Sequence, residues 1–222
     1  KSEAFLAWGW RVPFLFSAVM VIIGLWVRLR LVESAAFRQA ERVGAIRKLP
    51  LSATFRHHWR GLILGTFIML ATYVLFYLMT SFTLTYGTAK QDAHPGGLGI
   101  PYTTFVLMQI IGVVFFGLFT LLSGPVADVI GRRKLLIWTT VAIIVFGVSF
   151  PIWLSLRPDL MFTGALTQAV LIFGFTLMGV TFGPMGAVLP ELFPTNVRYT
   201  GSAIAYNVSS ILGAALAPII AV

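Results

Sequence analysis

The feature that most constrains this chain is a series of long apolar runs. An α-helix needs about 20 predominantly apolar residues to cross the hydrocarbon core of a bilayer. Six stretches reach or approach that length: 12–31, 61–82, 102–122, 135–156, 160–189 and 199–222. The first is the weakest, because Arg28 and Arg30 stand near its end. Long Arg side chains at a helix end can snorkel to the interface and be tolerated there. Composition supports the same reading. Of the 222 residues, 58% are hydrophobic and 10% are charged, against about 25% charged in a soluble domain. Such a chain lacks the polar surface to coat itself in water, so its solvent is lipid. The expected fold class is all-α, a polytopic transmembrane helical bundle.

The charges set an orientation. Arg28, Arg30, Arg38, Arg42, Arg47, Lys48, Arg56 and Arg60 fall between the first and second runs. Arg132, Arg133 and Lys134 fall between the third and fourth, and Arg198 between the fifth and sixth. The other side holds only Lys1, Arg11, Lys90 and Arg157. Lys and Arg collect in cytoplasmic loops, so loops 32–60, 123–134 and 190–198 are expected in the cytoplasm. The bias alternates correctly with six spans. A net charge of +9 would suggest a nucleic-acid partner on a soluble protein. Here the membrane bias accounts for it, and no nucleic-acid partner is expected.

The absence of cysteine excludes disulfides, thiolate metal sites and a Cys nucleophile within this sequence. No HExxH, GxSxG, Walker A loop or cluster of metal ligands is visible. His57 and His58 are adjacent and point to different sides of a helix, which suits shared metal ligation poorly. No enzyme and no cofactor are expected. The chain opens on Lys1 and stops at Val222 inside an apolar run, so it is expected to be a fragment of a longer protein.

In the loop after the first span, Ala36, Phe37, Ala40 and Val43 stand at helical spacing with charges between them. This suggests a helix on the cytoplasmic membrane face, with Ser34 available as its cap. Pro50 breaks the pattern, and LSATFRHHW suggests a second short interfacial helix. The loop 83–101 is polar and Gly-rich and reads as an exposed turn on the outer side. Trp8, Trp10, Trp26, Trp59, Trp138 and Trp153 stand near span ends, as in the aromatic belts of a bilayer.

Two loops carry further patterns. The first is Gly124-Pro125-Val126-Ala127-Asp128-Val129-Ile130-Gly131-Arg132-Arg133-Lys134. Gly124 is read as a site of close helix approach. Gly131 is read as a tight turn, and Arg132 and Arg133 as cations able to hold carboxylates or helix-end carbonyls. The second pattern runs from Leu189 to Gly201 and contains Pro190, Glu191, Pro194 and Arg198. Glu191 and Arg198 lie across a helix break and could pair.

The first pattern resembles the GxxxDRxGRRK loop of the major facilitator superfamily, with Val129 where the family carries Arg. The family carries this loop once in each half, and the copy in the second half is often degenerate. The second pattern resembles the PELFPTxVRxxG segment of the metabolite:proton symporter branch. Trp8-Gly9-Trp10-Arg11-Val12-Pro13-Phe14 resembles the WGWRxPF before helix six of that branch. The resemblance covers nearly the whole chain, from about helix six to helix eleven of twelve. It implies three regions: residues 1–31 as the last helix of the amino-terminal half, 32–60 as the cytoplasmic linker between halves, and 61–222 as five helices of the carboxy-terminal half.

It further implies secondary active transport by alternating access. The expected cargo is a small polar metabolite, an organic acid or zwitterion such as shikimate, 2-oxoglutarate, citrate, proline or betaine, with an organic acid preferred. Protons would be the coupling ion. On this reading Gly124, Asp128, Gly131, Arg132, Arg133, Glu191 and Arg198 form the cytoplasmic gate and signature loop. The spans contain no ionisable residue deep in the hydrocarbon, so a proton-binding carboxylate is expected in the missing amino-terminal half. Within the spans, Tyr73, Tyr77, Gln109 and Asn207 are the candidates for the substrate surface. An amide in hydrocarbon needs partners, so Gln109, Gln168 and Asn207 should face protein or a wet cavity. Gly179 and Gly183 form a small-xxx-small face, and Pro184 and Pro190 are expected to bend or break the fifth helix. A uniporter or drug-efflux antiporter of the same fold, or a non-transporting scaffold or receptor, are the alternatives.

Overall fold

The computed structural model describes residues 3, 7–30, 50–91, 97–155 and 160–220. The expected linker helix over 34–43 lies outside the described residues. The chain divides into two units, 1–46 and 47–222. In the first, a short 3₁₀ turn Gly9–Arg11 leads into α1, Val12–Arg30. The guanidinium of Arg30 lies 5.0 Å from the Trp26 ring centroid, as expected of an Arg near a membrane interface.

The second unit holds α2 (Pro50–His57), α3 (Trp59–Tyr77), a π-helical turn (Leu78–Phe82), α4 (Thr83–Thr88), α5 (Tyr102–Ile130), α6 (Arg132–Ser155), α7 (Leu160–Glu191) and α8 (Arg198–Ile220). Among the described residues, five helical stretches are long and apolar enough to cross a membrane. These are Gly9–Val27, Trp59–Thr88, Tyr102–Ile130, Arg132–Trp153 and Thr163–Glu191. The sixth expected span is the long helix α8, whose apolar character is diluted by Thr200, Ser202, Asn207, Ser209 and Ser210.

Two close helix pairs build the unit. The first is α5 against α7, and glycines set its distance. A Cβ on Gly179 would lie 2.5 Å from the Phe116 carbonyl oxygen, and one on Gly183 would collide with Ser123 and Thr120. The Ser123 hydroxyl donates to the Gly179 carbonyl at 3.3 Å. The second pair is α3 against α8, where a Cβ on Gly213 would lie 2.6 Å from that of Tyr73. Ser209 is fully buried there, and its hydroxyl donates to the Thr66 carbonyl at 2.7 Å. Small residues let backbones approach where lipid supplies no hydrophobic force between helices. Pro184 does not interrupt α7, which runs on to Glu191 directly after Pro190; the expected break falls only there.

The expected exposed turn over 83–101 is corrected by the structure. The helix begun by α3 continues through the π turn to Thr88. The chain then folds back over its end: Leu98 N–H donates to the Tyr86 carbonyl at 3.0 Å, and Ile100 N–H to that of Gly87 at 2.9 Å. Leu98 and Ile100 are buried, and the fully buried Phe105 ring fills the space beside Gly87. Polar composition hid this cap, because it is held by backbone bonds and three apolar side chains.

The surface of the bundle is apolar, with Leu121, Val148 and Trp138 more than two-thirds exposed. Several span threonines satisfy their hydroxyls within their own helix: Thr80 donates to the Phe76 carbonyl and Thr120 to that of Phe116, each at 2.7 Å. This removes most of the cost of a hydroxyl in hydrocarbon.

Candidate functional site

The charged end of the second unit is organised by Gly131. It takes φ +96° and ψ 126°, a conformation that side chains disfavour, and it alone separates α5 from α6. Its N–H donates to the Ala127 carbonyl at 3.0 Å, and its own carbonyl accepts from Leu135 N–H at 3.1 Å. The reversal therefore delivers Arg132 back beside Asp128. Their ion pair closes at 3.1 Å. The same guanidinium also pairs with Glu191, at the end of α7. One cation thus bridges two carboxylates and ties the α5–α6 corner to α7. A guanidinium suits this because its fork offers several donors in one plane.

Two expectations here are corrected. Glu191 pairs with Arg132, not with Arg198. Arg198 instead donates from Nε to the Phe193 carbonyl at 3.2 Å, closing the loop between α7 and α8. The fold brings the α5–α6 corner over the end of α7, a tertiary contact that sequence proximity did not reveal. Gly124 is not a close-approach site among the described residues, since a Cβ there would meet nothing within 4 Å. That role belongs to Gly179 and Gly183. Arg133 is exposed.

Behind the charged end lies a cavity of about 360 Å³ between α5, α7 and α8. Thr120, Phe182, Gly186, Ser202 and Tyr206 contribute to its wall, and Pro190 brings it to the residue before Glu191. The wall offers hydroxyls and aromatic rings, and no ionisable group apart from the tyrosine phenols.

The candidate substrate residues separate. Tyr73 lies next to Tyr206, with ring centroids 5.5 Å apart and nearly perpendicular, so the α3–α8 contact leads to the cavity wall. Tyr77 is half-buried and packs edge-on against Phe76, with centroids 5.3 Å apart. Asn207 is exposed, and its amide donates to the Ala203 carbonyl at 2.8 Å. One residue along a helix is a rotation of about 100°, so Asn207 turns away from the face that its neighbour Tyr206 presents to the cavity. Gln109 is half-buried. Its amide donates to the Met79 and Thr80 carbonyls at 2.9 and 2.8 Å, and reaches the Thr83 hydroxyl at 3.4 Å. Those carbonyls belong to the π turn, where normal i to i−4 bonding is interrupted. Gln168 similarly donates to the Met108 carbonyl at 3.3 Å.

Tyr206 and Ser202 were the residues that sequence reasoning passed over. Their spacing of four, with Tyr199 three residues earlier, was the available signal.

Comparison with known proteins agrees with this architecture. The profile of the Major Facilitator Superfamily matches residues 3–218. The chain belongs to the major facilitator superfamily. This facilitator chain is 50% identical to the "Inner membrane metabolite transport protein YhjE" of Escherichia coli, over 99% of the chain and 48% of the relative. It is 30% identical to the "Shikimate transporter" of Escherichia coli, over 99% of the chain and 48% of the relative. It is 29% identical to the "Citrate-proton symporter" of Salmonella typhi, over 98% and 47%. The facilitator chain therefore spans about half the length of the curated relatives it matches. No solved structure matches it. Family and relatives are membrane transporters and not enzymes. The chain is part of a multi-pass protein of the cytoplasmic membrane.

Proposed function

We propose that the whole protein is a secondary active transporter. It moves a small polar metabolite, an organic acid, across the cytoplasmic membrane by proton symport and alternating access. The observation that carries this reading is the cavity between α5, α7 and α8, whose wall reaches Pro190, next to Glu191 of the Asp128–Arg132–Glu191 bridge. Alternating access requires a site near mid-membrane and a closure that can be made and broken. Exposed ion pairs meet the second need, because water replaces their contacts at little net cost. The names of two relatives, a shikimate transporter and a citrate-proton symporter, support the cargo class and the coupling.

In this reading Arg132, Asp128 and Glu191 are the latch, with Gly131 setting its geometry. Tyr73 and Tyr206 belong to the substrate face. Gln109 acts as a clamp on the π turn and not as a substrate ligand. No cation stands in the cavity wall described here, so the partner for a substrate carboxylate, like the proton-binding group, would come from the amino-terminal half. Residues 1–31, 32–60 and 61–222 serve as last helix of that half, linker and second half.

The test is uptake of labelled shikimate and citrate by the full-length protein in proteoliposomes, under an inward proton gradient. Accumulation that a protonophore abolishes is the expected result. Flux that survives the protonophore makes the protein a uniporter. No flux of any organic acid removes the cargo assignment.

A further inference from the structure

The short helix α2 and the start of α3 carry a surface that the transport reading does not use. Leu51 and Phe55 stand one turn apart on α2, and Trp59 begins α3 directly after the non-helical His58; all three are more than half exposed: 56%, 54% and 51%. Thr54, on another face of α2, is fully buried, and α2 packs against both α3 and α8. The helix is thus fixed by one side and presents an apolar stripe on another. Arg56 and Arg60 are exposed beside that stripe, four residues apart. The Arg60 guanidinium lies 5.5 Å from the Trp59 ring centroid. No Asp or Glu occurs anywhere between Glu41 and Asp92, and among the described residues neither Arg56 nor Arg60 forms an ion pair.

Depth decides what this surface meets. Trp59 ends the stripe and also begins the membrane-spanning stretch Trp59–Thr88. The stripe therefore stands at the level where hydrocarbon gives way to headgroups. Rings belong at that level, and basic side chains next to them face the phosphate layer. An exposed apolar stripe flanked by Arg matches a leaflet that offers acyl chains and negative phosphate side by side. The Lys and Arg bias of the chain assigns this end to the cytoplasmic leaflet.

We infer that Leu51, Phe55 and Trp59, with Arg56 and Arg60, form a binding site for an anionic phospholipid of the inner leaflet, whose phosphate the two guanidinium groups hold. The inference is independent of cargo and coupling, so it stands or falls apart from the transport reading.

The experiment is native mass spectrometry of the full-length protein titrated with phosphatidylglycerol, with phosphatidylcholine as the zwitterionic control. R56Q/R60Q should weaken phosphatidylglycerol binding by roughly tenfold and leave phosphatidylcholine binding unchanged. R56K/R60K keeps the charge and should retain most of the affinity, which separates loss of charge from misfolding. Phe55→Ser should weaken the lipid and leave inorganic phosphate without effect as a competitor. Unchanged phosphatidylglycerol affinity in R56Q/R60Q overturns the site. Full displacement by inorganic phosphate, with F55S neutral, makes it a free-anion site and overturns the lipid assignment.

Discussion

The two ends of the unit 47–222 are closed by different forces. At the charged end, one guanidinium bridges two carboxylates that are themselves largely exposed, Asp128 at 66% and Glu191 at 60%. At the opposite end, buried Phe105, Leu98 and Ile100 fill the space over Gly87, and Gln109 holds the carbonyls of the π turn. The first closure is wet and electrostatic. The second is dry and built from packing and backbone bonds. Opening the first exchanges ion pairs for hydrated ions, which is nearly neutral in free energy. Opening the second exposes unpaired amides and carbonyls in hydrocarbon, where each is expensive. The difference teaches which end can loosen without the helices coming apart.

Three predictions sharpen this contrast, from the largest effect to the smallest. The α5–α7 contact beneath both ends should tolerate least. Gly183→Leu drives a side chain into Ser123 and the Thr120 carbonyl, and its cost should exceed the about 1–3 kcal/mol typical of overpacking. Little monodisperse full-length protein should survive detergent extraction, as read by fluorescence-detected size exclusion. A normal elution profile would show that α5 and α7 are not so close.

At the dry end, Gln109→Leu removes the donor that faces two carbonyls and should cost about 1–3 kcal/mol. Gln109→Glu, which turns acceptors toward those carbonyls, should cost more. The thermal midpoint should fall in both while KM for transported substrate stays within about twofold. A large rise in KM with an unchanged midpoint would return Gln109 to the substrate surface. At the wet end, Arg132→Gln should scarcely move the midpoint, because its pairs are exposed. Its effect should be conformational, and the labelling experiment below reads it.

Much of this arrangement was legible in the residues. The apolar runs gave the spans, because lipid imposes one length on every helix that crosses it. Gly131 and the adjacent cations gave the corner, because a reversal within one residue needs a backbone that accepts positive φ. Gly179 and Gly183 gave the close helix pair by their spacing. What could not be read was tertiary register. Glu191 stands seven residues from Arg198 in sequence, yet meets Arg132 across two helices. Asn207 and Tyr206 are neighbours in sequence, and only packing decided that Tyr206 faces the cavity. The amide of Gln109 looked like a ligand for cargo, because a π turn in need of a donor leaves no pattern in the sequence. The cap over 97–100 was hidden for a similar reason: its Gly and Pro suggest an open turn, while its backbone bonds are made to the helix it covers.

The central claim is that the Arg132 bridge latches the charged end of the cavity. Ser202 lines that cavity, and this chain holds no native cysteine. In a full-length, otherwise cysteine-free protein, Ser202→Cys can be labelled from the cytoplasmic side of inside-out vesicles with an impermeant maleimide. Arg132→Gln should accelerate that labelling about fivefold or more, the size of a typical coupling between conformational states. An unchanged or slower rate in Arg132→Gln would contradict the account, leaving Asp128, Arg132 and Glu191 as anchors of their loops at the membrane surface.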